Sequence, residues 1–493
     1  MNTEMLFIFA PFTVLLFGLI GERLNVKYIR EGFAVLASFI TLASVVNIYN
    51  IVQASPTKIA LVTLGGQPPL GACFEIDMLG VFMAFSGALL GLFTTIYSIN
   101  YMSHDTRLTE YYTLLSCMIV GIIGVAFAGD FVTFFVFWEI MGIASYVLVA
   151  FRKNNWGPIE AGFKYMVMGA VGSTMLLLGI GLIYGMAGTV NFAQISSVLH
   201  GAPLNLWFIV AMIVFVIGFG IKSAIVPLHT WLPDAHPEAP SPISAMLSGI
   251  LIETALYGLT RILYISFEQS VFMLMVAGLA AVTMTFANVV AVLQNDLKRM
   301  LAYSSIAQIG YMLIGVAAGG TFGVMALLLH IFNHSLMKGL AFLSAGSIIE
   351  ETGSRDIENM RGISKTMPIT VITMFIALLG LGGIPGTNGF ISKFLLFGAG
   401  MESGLWWLVL IGALNSALSM VYYLRVMKTL IGKPSKVPQH AKEAPPLMLG
   451  VTVAMAILII LFGIWPASMI QYATEAANAI TVNLPKYVKV IMP

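Results

Sequence analysis

Eight ionisable side chains lie inside apolar stretches of this sequence, where lipid would be the default surroundings. A charged residue at the centre of a bilayer costs roughly 2.5–3.5 kcal/mol even on insertion scales, so such groups must face protein or water. One buried charge is usually half of an interhelical ion pair, but buried pairs stabilise poorly compared with packed apolar residues. A set this large therefore indicates a path for ions, and it comprises Glu139, Lys164, Lys222, Glu253, His330, His334, Lys338 and Lys393.

Two parts of this set have a charge pattern or a spacing that indicates chemistry. Glu139 and Lys222 have opposite signs at similar predicted depth, so we expect an ion pair whose opening leaves the lysine ready to release a proton. His330, His334 and Lys338 recur every four residues and share one stripe of a helix, which predicts a proton wire. Satisfied interhelical hydrogen bonding is the alternative. Two histidines at this spacing also suit zinc, but the sequence offers no evident third ligand and Lys338 repels a cation.

The surrounding apolar runs predict the elements that hold these residues. The chain has 493 residues, of which 59% are hydrophobic and 9% charged, and its mean hydropathy of +0.93 is typical of a polytopic membrane protein. A span needs about 20 apolar residues. This length predicts fourteen spans, near 5–21, 32–52, 78–99, 111–129, 131–151, 160–187, 206–227, 242–266, 270–295, 300–318, 321–349, 368–399, 403–431 and 447–473.

Charge in the connections predicts the orientation. Most lysines and arginines outside the spans fall in odd-numbered connections, which the positive-inside rule places in the cytoplasm. The N-terminus, the even-numbered connections and the C-terminal tail hold only Lys58, Arg261, Lys486 and Lys489. We therefore expect a multi-pass protein of a prokaryotic cell membrane with both termini outside. The first apolar run has no basic flank and no small-residue cleavage site, so it predicts a retained helix.

Several functional classes are disfavoured by what the sequence lacks. A net charge of +2 argues against a nucleic-acid partner. The two cysteines, Cys73 and Cys117, form no CxxC motif or cluster ligand set, and no glycine-rich phosphate loop occurs in a strand–turn–helix context. We therefore expect no cofactor, no resident metal and no redox chemistry in this chain.

Two spans that carry a lysine are interrupted. Pro227 should end the seventh span soon after Lys222, and "GLGGIPGTNGFISKF" interrupts the twelfth span before Lys393. Paired discontinuous helices mark ion sites in transporters built from inverted repeats, with ordinary kinks as the alternative. The proline-rich turn after Pro227, which we expect to face outside, holds His229, Asp234, His236 and Glu238. These residues could suit a metal, but the proline spacing favours a structural turn.

The amino-acid sequences of these motifs resemble those of a known family. The stretches "FFVFWEIMGIASYVLVAF", "KSAIVPLHTWLPDAHPEAPSPISAMLSG", "QNDLKRMLAYSSIAQIGYMLIG" and "GIPGTNGFISKFLL" closely resemble the antiporter-like subunits, over about residues 78–430. That family includes proton-pumping subunits of respiratory complex I, large subunits of Mrp-type Na⁺/H⁺ antiporters, and counterparts in membrane-bound hydrogenases. The resemblance implies an all-α polytopic fold of fourteen transmembrane helices, with two inverted five-helix repeats and broken helices 7 and 12.

This fold implies four regions along the chain. They are the first three helices (1–105), a first repeat of helices 4 to 8 (106–266), a second repeat of helices 9 to 13 (267–431), and helix 14 with a tail (432–493). The resemblance also implies an ion path through the helix-five glutamate Glu139, the helix-six lysine Lys164, the helix-seven lysine Lys222, the helix-eleven residues His330, His334 and Lys338, and the helix-twelve lysine Lys393.

Glu253 departs from the family pattern, which commonly has a lysine in helix eight. A carboxylate there could pair with Lys222 or Lys393, could bind Na⁺ together with a hydroxyl such as Thr254, or could mean that transport is altered or lost. We expect Glu253 to take over the central relay step, paired with a lysine from helix seven or twelve.

The expected function is that of an ion-translocating subunit, for H⁺ or Na⁺ or both, of a multisubunit membrane complex. The partners would be other membrane subunits and lipid, and the complex would be an antiporter or an oxidoreductase of hydrogenase or dehydrogenase type. The general similarity of the motif sequences favours the Mrp-type or hydrogenase-type branch of the family. The alternatives are a complex I-type proton-pumping subunit, an independent secondary transporter, and an inert scaffold for a redox arm. A scaffold has no need for eight buried ionisable groups.

Overall fold

The fold is a bundle of long apolar helices with one small hairpin. The computed structural model describes residues 7–24, 28–64, 71–199, 201–202, 205–267, 269–433 and 441–491. Within them, eleven helices are long and apolar enough to cross a membrane. The chain is therefore a mostly helical membrane protein, and the two-stranded sheet is an addition to the expected all-α architecture.

The first part of the chain forms three helices and the hairpin. In chain order these elements are α1 (Ala10–Leu24), α2 (Ile29–Ala54), β1 (Ile59–Leu64), β2 (Ala72–Asp77) and α3 (Met78–Tyr101). The strands are antiparallel, with Ile59 opposite Asp77 and Leu64 opposite Ala72. The predicted start of the first span, at residue 5, lies outside the described residues. The sequence predicts a connection over residues 53–77, because the short strands lack a clear alternation of polar and apolar residues.

The next part runs from the fourth to the eighth predicted span. It contains α4 (Leu108–Phe127), α5 (Phe131–Val149), α6 (Trp156–Ala187), α7 (Phe192–Leu199), α8 (Leu206–Lys222), α9 (Leu232–Glu238), α10 (Ser241–Met246) and α11 (Ile252–Ser266), the last two joined by a π-helical turn, Leu247–Leu251. The predicted interruption after Lys222 is present. Pro227 lacks an amide donor, so regular helical hydrogen bonding cannot continue through it.

The remaining helices follow the other predicted spans. They are α12 (Gln269–Val292), α13 (Leu297–Ala318), α14 (Gly320–Thr352), α15 (Pro368–Gly382), α16 (Asn388–Glu402), α17 (Trp406–Leu430), α18 (Pro446–Ile464), α19 (Ala467–Thr481) and α20 (Leu484–Ile491). The twelfth predicted span is divided into α15 and α16. Gly383 and Gly386 between them have φ values of 81° and 92°, a left-handed backbone that glycine adopts without strain.

The centre of the protein is formed by α14 and by the α10–α11 segment. Both have apolar windows that are wholly buried by the rest of the chain, and α13 is almost as enclosed. By contrast, α6 and α17 expose many large apolar side chains, such as Phe163 and Leu414. Polar residues on α11, α13 and α14 are therefore removed from lipid by protein.

The C-terminal region differs from the sequence prediction of one span and a tail. The predicted span 447–473 ends at Ile464, and a separate helix, α19, begins after Pro466. This α19 packs against α3 and α14, and α20 brings Tyr487 to Glu75 of the hairpin. The side chain of Lys486, which was used to predict orientation, lies outside the described residues.

The proline-rich turn does not lie where the sequence analysis placed it. Asp234 contacts Lys164 at 3.1 Å and Arg299 at 3.6 Å, and Glu238 contacts Arg355 at 2.9 Å. The turn therefore lies at the same end of the molecule as the basic odd-numbered connections, and the expectation that it lies at the opposite end is wrong. Its acidic residues contact basic residues at that end, whereas the proline spacing alone gives no information about these partners.

Arg261 does not lie in an even-numbered connection, which is the location predicted from the sequence. The structure places it within α11, where its side chain is buried and contacts Asp77 at 3.0 Å and the Tyr257 hydroxyl at 3.0 Å. Asp77 also accepts a hydrogen bond from the amide of Gly80 at the start of α3. Arginine suits such a buried pair because its planar guanidinium holds a carboxylate with two donors.

Glu75, on the hairpin, gives a prediction about pH. Burial raises the pKa of its carboxyl from 4.5 to about 7, although hydrogen bonds from Tyr487 and Asn191 favour the charged form. An acid whose pKa is raised by folding contributes stability below its unfolded pKa, and this contribution is lost as the pH rises through the folded value. Between pH 4 and pH 8 the free energy of unfolding of the native protein should fall by about 3 kcal/mol relative to Glu75→Gln.

The measurement is thermal unfolding of the purified native and Glu75→Gln proteins across this pH range. The difference between their melting temperatures should change mainly between pH 4.5 and 7. As a control, Glu22→Gln alters a carboxylate whose side chain is 47% exposed, which contacts Arg30 at 3.4 Å and accepts a hydrogen bond from the Thr109 hydroxyl. A pH-independent difference between Glu75→Gln and the native protein would contradict the prediction.

Candidate functional site

Lys222 is the last residue of α8, and its side chain is buried at the break in the seventh span. Its Nζ contacts the Tyr146 hydroxyl of α5 at 3.2 Å. Aromatic rings from α5 and α6 surround the rest of the ammonium group. Within the described residues no carboxylate lies within the 4.0 Å limit of an ion pair with Lys222. The lysine is thus enclosed, but it is not neutralised by direct contact.

Glu139, on α5, does not form the expected ion pair in this structure. Its carboxylate accepts a short hydrogen bond from the Ser173 hydroxyl of α6, and this hydroxyl also accepts one from the indole of Trp138, at 3.3 Å. Glu139 is half-buried. Tyr146, which contacts the lysine, lies two helical turns beyond Glu139 on the same side of α5.

Glu253 contacts a histidine and not the expected lysine. Its Oε1 makes a short hydrogen bond with Nδ1 of His334, and both side chains are completely buried. The expected pairing with Lys222 or Lys393 is therefore wrong for the described structure. The reason is the rotation of α11, which directs Glu253 towards α14. Thr254 donates its hydroxyl to the carbonyl of Ile250, at 2.8 Å, and is not a partner of Glu253.

The Glu253–His334 pair has one free polar atom at each end. Neither Oε2 of Glu253 nor Nε2 of His334 has a hydrogen-bond partner among the described protein atoms. A buried polar atom without a partner costs about 1–3 kcal/mol, so a further donor or acceptor at either atom would stabilise the site. The pair can therefore act as the middle step of a relay.

His330, one helical turn before His334, is held from two sides. Its Nε2 lies 3.0 Å from Oε1 of Gln308, on α13, and its Nδ1 lies 2.8 Å from the hydroxyl of Ser392, on α16. Because an amide oxygen only accepts, Nε2 carries the proton and Nδ1 of a neutral ring accepts from Ser392. The two histidine rings are 6.2 Å apart between centroids. Nδ1 can accept a further proton once the hydroxyl group of Ser392 rotates so that it no longer donates to this nitrogen.

The two lysines of the second half are bound by backbone carbonyls. Nζ of Lys393 donates to the carbonyl of Leu381 at 2.7 Å, in the last turn of α15, where the helix dipole is negative. Gln308 donates to the same carbonyl at 3.1 Å, which links Lys393 with His330. Lys338 donates to the carbonyl of Leu301 at 2.9 Å and to the Ser304 hydroxyl. Neither lysine faces lipid.

Lys164 lies apart from the other seven residues. Its side chain is 48% exposed and contacts Glu160 at 2.8 Å and Asp234 at 3.1 Å. The expectation of a buried lysine is wrong, because Lys164 is only in the third turn of α6 and therefore remains near the end of the bundle that carries the charged connections. Its contact with Asp234 holds α9 against α6.

The acidic and histidine residues of the turn serve structural contacts in this structure. Asp234 and Glu238 contact basic residues, and the ring of His236 stacks on Phe342 at 4.7 Å. His229 packs edge-on against Phe286 at 4.9 Å. Throughout the ranges that the structure describes, no three histidine, cysteine or acidic residues are grouped as metal ligands.

Sequence reasoning missed several residues of the site. Tyr146 could have been found, because it lies seven residues after Glu139 and so on the same helical face. Gln308, Ser304 and Ser392 carry no comparable signal, because serine and glutamine are ordinary in helices and only tertiary packing brings them to the histidines and lysines. Lys298, which the sequence analysis assigned to a connection, is buried and donates to the carbonyl of Ala239 at 2.6 Å.

The fold and the site define a class: a polytopic membrane protein with a chain of ionisable groups through its core. Comparison with known families gives the same class. The family described as "NADH:quinone oxidoreductase/Mrp antiporter, TM" matches residues 128–419, and "NADH-Ubiquinone oxidoreductase (complex I), chain 5 N-terminus" matches residues 66–112. The chain belongs to the NADH:quinone oxidoreductase/Mrp antiporter family, and it is an antiporter-like membrane subunit, as the sequence motifs predicted.

Individual relatives cover nearly the whole chain. F(420)H(2) dehydrogenase subunit N of Methanosarcina mazei is 35% identical over 82% of this chain and 84% of its own length. NADH-quinone oxidoreductase subunit N of Desulforudis audaxviator is 33% identical over 94% of each chain. Among solved structures, a chain of the membrane-bound sulfane sulfur reductase, an archaeal respiratory membrane complex, superimposes with a TM-score of 0.89 at 28% identity, covering 99% of both chains.

The Glu253–His334 contact gives a prediction about transport. Glu253→Lys would place a second cationic group against His334 and near the other buried lysines, and repulsion in a low dielectric should stop ion flux. Glu253→Gln keeps a hydrogen-bonding group of the same shape but cannot carry the proton, so flux should fall at least tenfold while remaining above that of the lysine variant.

The measurement is H⁺ and Na⁺ flux by the complex reconstituted in vesicles, with assembly checked by subunit composition. Thr254→Val is the matched control, because Thr254 is the neighbouring polar residue and its hydroxyl donates to the backbone carbonyl of Ile250 in the preceding turn. Normal flux with Glu253→Lys, or no effect of Glu253→Gln, would exclude Glu253 from the relay.

Proposed function

We propose that this chain translocates protons within a multisubunit complex of a prokaryotic cell membrane, through fourteen passages with both termini outside. The passages are the eleven long spans together with α1, the α8–α9 pair and the α15–α16 pair. Residues 106–266 and 267–431 form two inverted five-helix repeats, flanked by the regions 1–105 and 432–493. The interrupted seventh and twelfth passages support this division, because each carries a buried lysine.

One observation carries the proposal: a series of buried polar contacts joins the two proposed repeats. Glu253, in the first repeat, contacts His334, in the second. The ring of His330 lies 6.2 Å from that of His334 between centroids, and His330 is connected through Gln308 to the carbonyl that binds Lys393. Every ionisable member of this series exchanges protons readily. An inert scaffold would not benefit from such a series, because each buried polar group must be compensated.

The proton is a better candidate than Na⁺ for the ion at Glu253. A sodium site needs several oxygen ligands, as hard cations generally do. The nearest partner of Glu253 is a ring nitrogen of His334, and the neighbouring Thr254 hydroxyl is used by the backbone. Na⁺ flux remains an outcome that the vesicle measurement distinguishes.

The coupling of Glu139 with Lys222 gives the direct test. In the proposed cycle the two side chains alternate between a closed ion pair and the open arrangement described here. Glu139→Gln and Lys222→Met should each abolish proton flux in vesicles, because either change removes one charge of the pair, while the complex still assembles. Lys164→Met is a control at the charged end of the bundle, and it should retain most of the flux. Proton flux retained in both Glu139→Gln and Lys222→Met would remove the pair from the mechanism.

The relatives support a dehydrogenase-type complex. The similarity of the motif sequences had instead favoured the Mrp-type or hydrogenase-type branch. Both sequence relatives described above are named as subunit N of a dehydrogenase or quinone oxidoreductase. Gentle detergent extraction should therefore recover this chain together with other membrane subunits and with subunits that contain iron–sulfur clusters, visible by their absorption and by mass spectrometry. Recovery with small hydrophobic subunits alone would support an Mrp-type antiporter, and recovery of the single chain would support an independent transporter.

A further inference from the structure

The ammonium group of Lys222 has aromatic rings as its close neighbours. Its Nζ lies 4.4 Å from the ring centroid of Tyr146, 4.9 Å from that of Tyr165 and 5.9 Å from that of Trp138. A cation within about 6 Å of a ring centroid is attracted by the negative face of the ring, and this attraction is stronger where water is excluded. We call these three residues the aromatic cage.

The cage is held rigidly by its own contacts. Tyr165 is fully buried, stacks on Trp231 at 3.9 Å with the planes 6° apart, and accepts a hydrogen bond from Ser145 at 3.0 Å. Trp231 donates its indole N–H to the carbonyl of Ile221 at 2.7 Å. Because Ile221 immediately precedes Lys222, the stacked pair is fixed to the end of the helix that presents the lysine.

Two glycines make room for this arrangement. A Cβ at Gly169 would lie 1.9 Å from the Tyr146 hydroxyl oxygen, and a Cβ at Gly142 would lie 3.1 Å from Nζ of Lys222. A side chain at position 169 would displace Tyr146 from the lysine. The absence of side chains at these positions therefore permits the close approach of the ring and the ammonium group.

A similar contact occurs in the other half of the protein. Nζ of Lys393 lies 4.7 Å from the ring centroid of Tyr311. Tyr146 and Tyr311 lie on the second helix of their proposed repeats, and Lys222 and Lys393 lie in the fourth, interrupted passages. The same pairing of a lysine with a tyrosine ring thus recurs at corresponding positions, although only Lys222 has several rings around it.

We propose that the aromatic cage is the resting place of the Lys222 ammonium group while its ion pair with Glu139 is open, and that the ring of Tyr311 stabilises the charge of the Lys393 ammonium group in the same way. A ring face stabilises the positive charge but cannot accept the proton. The lysine can therefore leave the carboxylate without losing its proton at once, and it releases the proton only when it reaches an acceptor. Tyr146, Tyr165 and Trp138 are positioning residues in this scheme, which rests on the proposed function.

The test replaces Tyr165 within the assembled complex and measures proton flux in vesicles. Tyr165→Phe keeps the ring and should transport within about twofold of the native complex, whereas Tyr165→Leu, which keeps an apolar side chain without a ring, should lose about tenfold. Ser145→Ala is the matched control, because it removes the hydrogen bond to Tyr165 and leaves the ring. Equal losses in the Phe and Leu variants, or no loss in either, would overturn the cage.

A second series separates the charge attraction from folding. Phenylalanine with increasing numbers of ring fluorines at position 165 keeps the shape of the ring while it weakens the negative face, so flux should decrease stepwise with each fluorine. If flux is the same for all the fluorinated variants while Lys222→Met is inactive, the aromatic cage is refuted and the proposed function is not. Normal flux in Lys222→Met overturns the use of this lysine in the proposed function and the cage with it.

Discussion

The cost of removing charge from water constrains this structure more than any other interaction. An isolated ion in a medium of low dielectric is so unfavourable that each buried charge needs a partner within the protein. The partners differ in kind: Asp77 neutralises Arg261, His334 binds Glu253, and the carbonyl of Leu381 binds Lys393. Each of these contacts joins two separate elements of the fold. The same contacts therefore determine both the packing of the bundle and the arrangement of its charged groups.

At the interrupted helices, backbone atoms serve as partners for buried charges. Where α15 ends, its last carbonyls have no partner within the helix, and they become acceptors at the negative end of the helix dipole. Lys393 and Gln308 use one of these carbonyls together. An unbroken helix would offer no such acceptor at this depth. The break thus lets a lysine stay in the core without a fixed carboxylate, which leaves its proton available for transfer.

The sequence predicted those features that depend on local composition. Apolar runs located the spans, Pro227 and the glycines near 383 located the interruptions, and the four-residue spacing placed His330, His334 and Lys338 on one buried helix. It did not predict partners. Glu253 contacts His334 and not a lysine, and Lys164 lies at an exposed end, because partner choice depends on the rotation and depth of separate helices. Neither quantity is encoded in the spacing along one helix.

Under the proposed function, a glutamate at position 253, in place of the lysine that the family resemblance implies, follows from the same constraint. A proton that moves between Glu253 and His334 converts an ion pair into two neutral groups, and the sum of their charges is zero in both arrangements. This proton transfer therefore leaves the net charge of the core unchanged. A lysine at position 253 would make this sum positive whenever it is protonated, beside a core that already contains Lys222, Lys338 and Lys393. In the proposed relay, the carboxylate thus lowers the electrostatic cost of the step between Glu253 and His334 compared with a lysine.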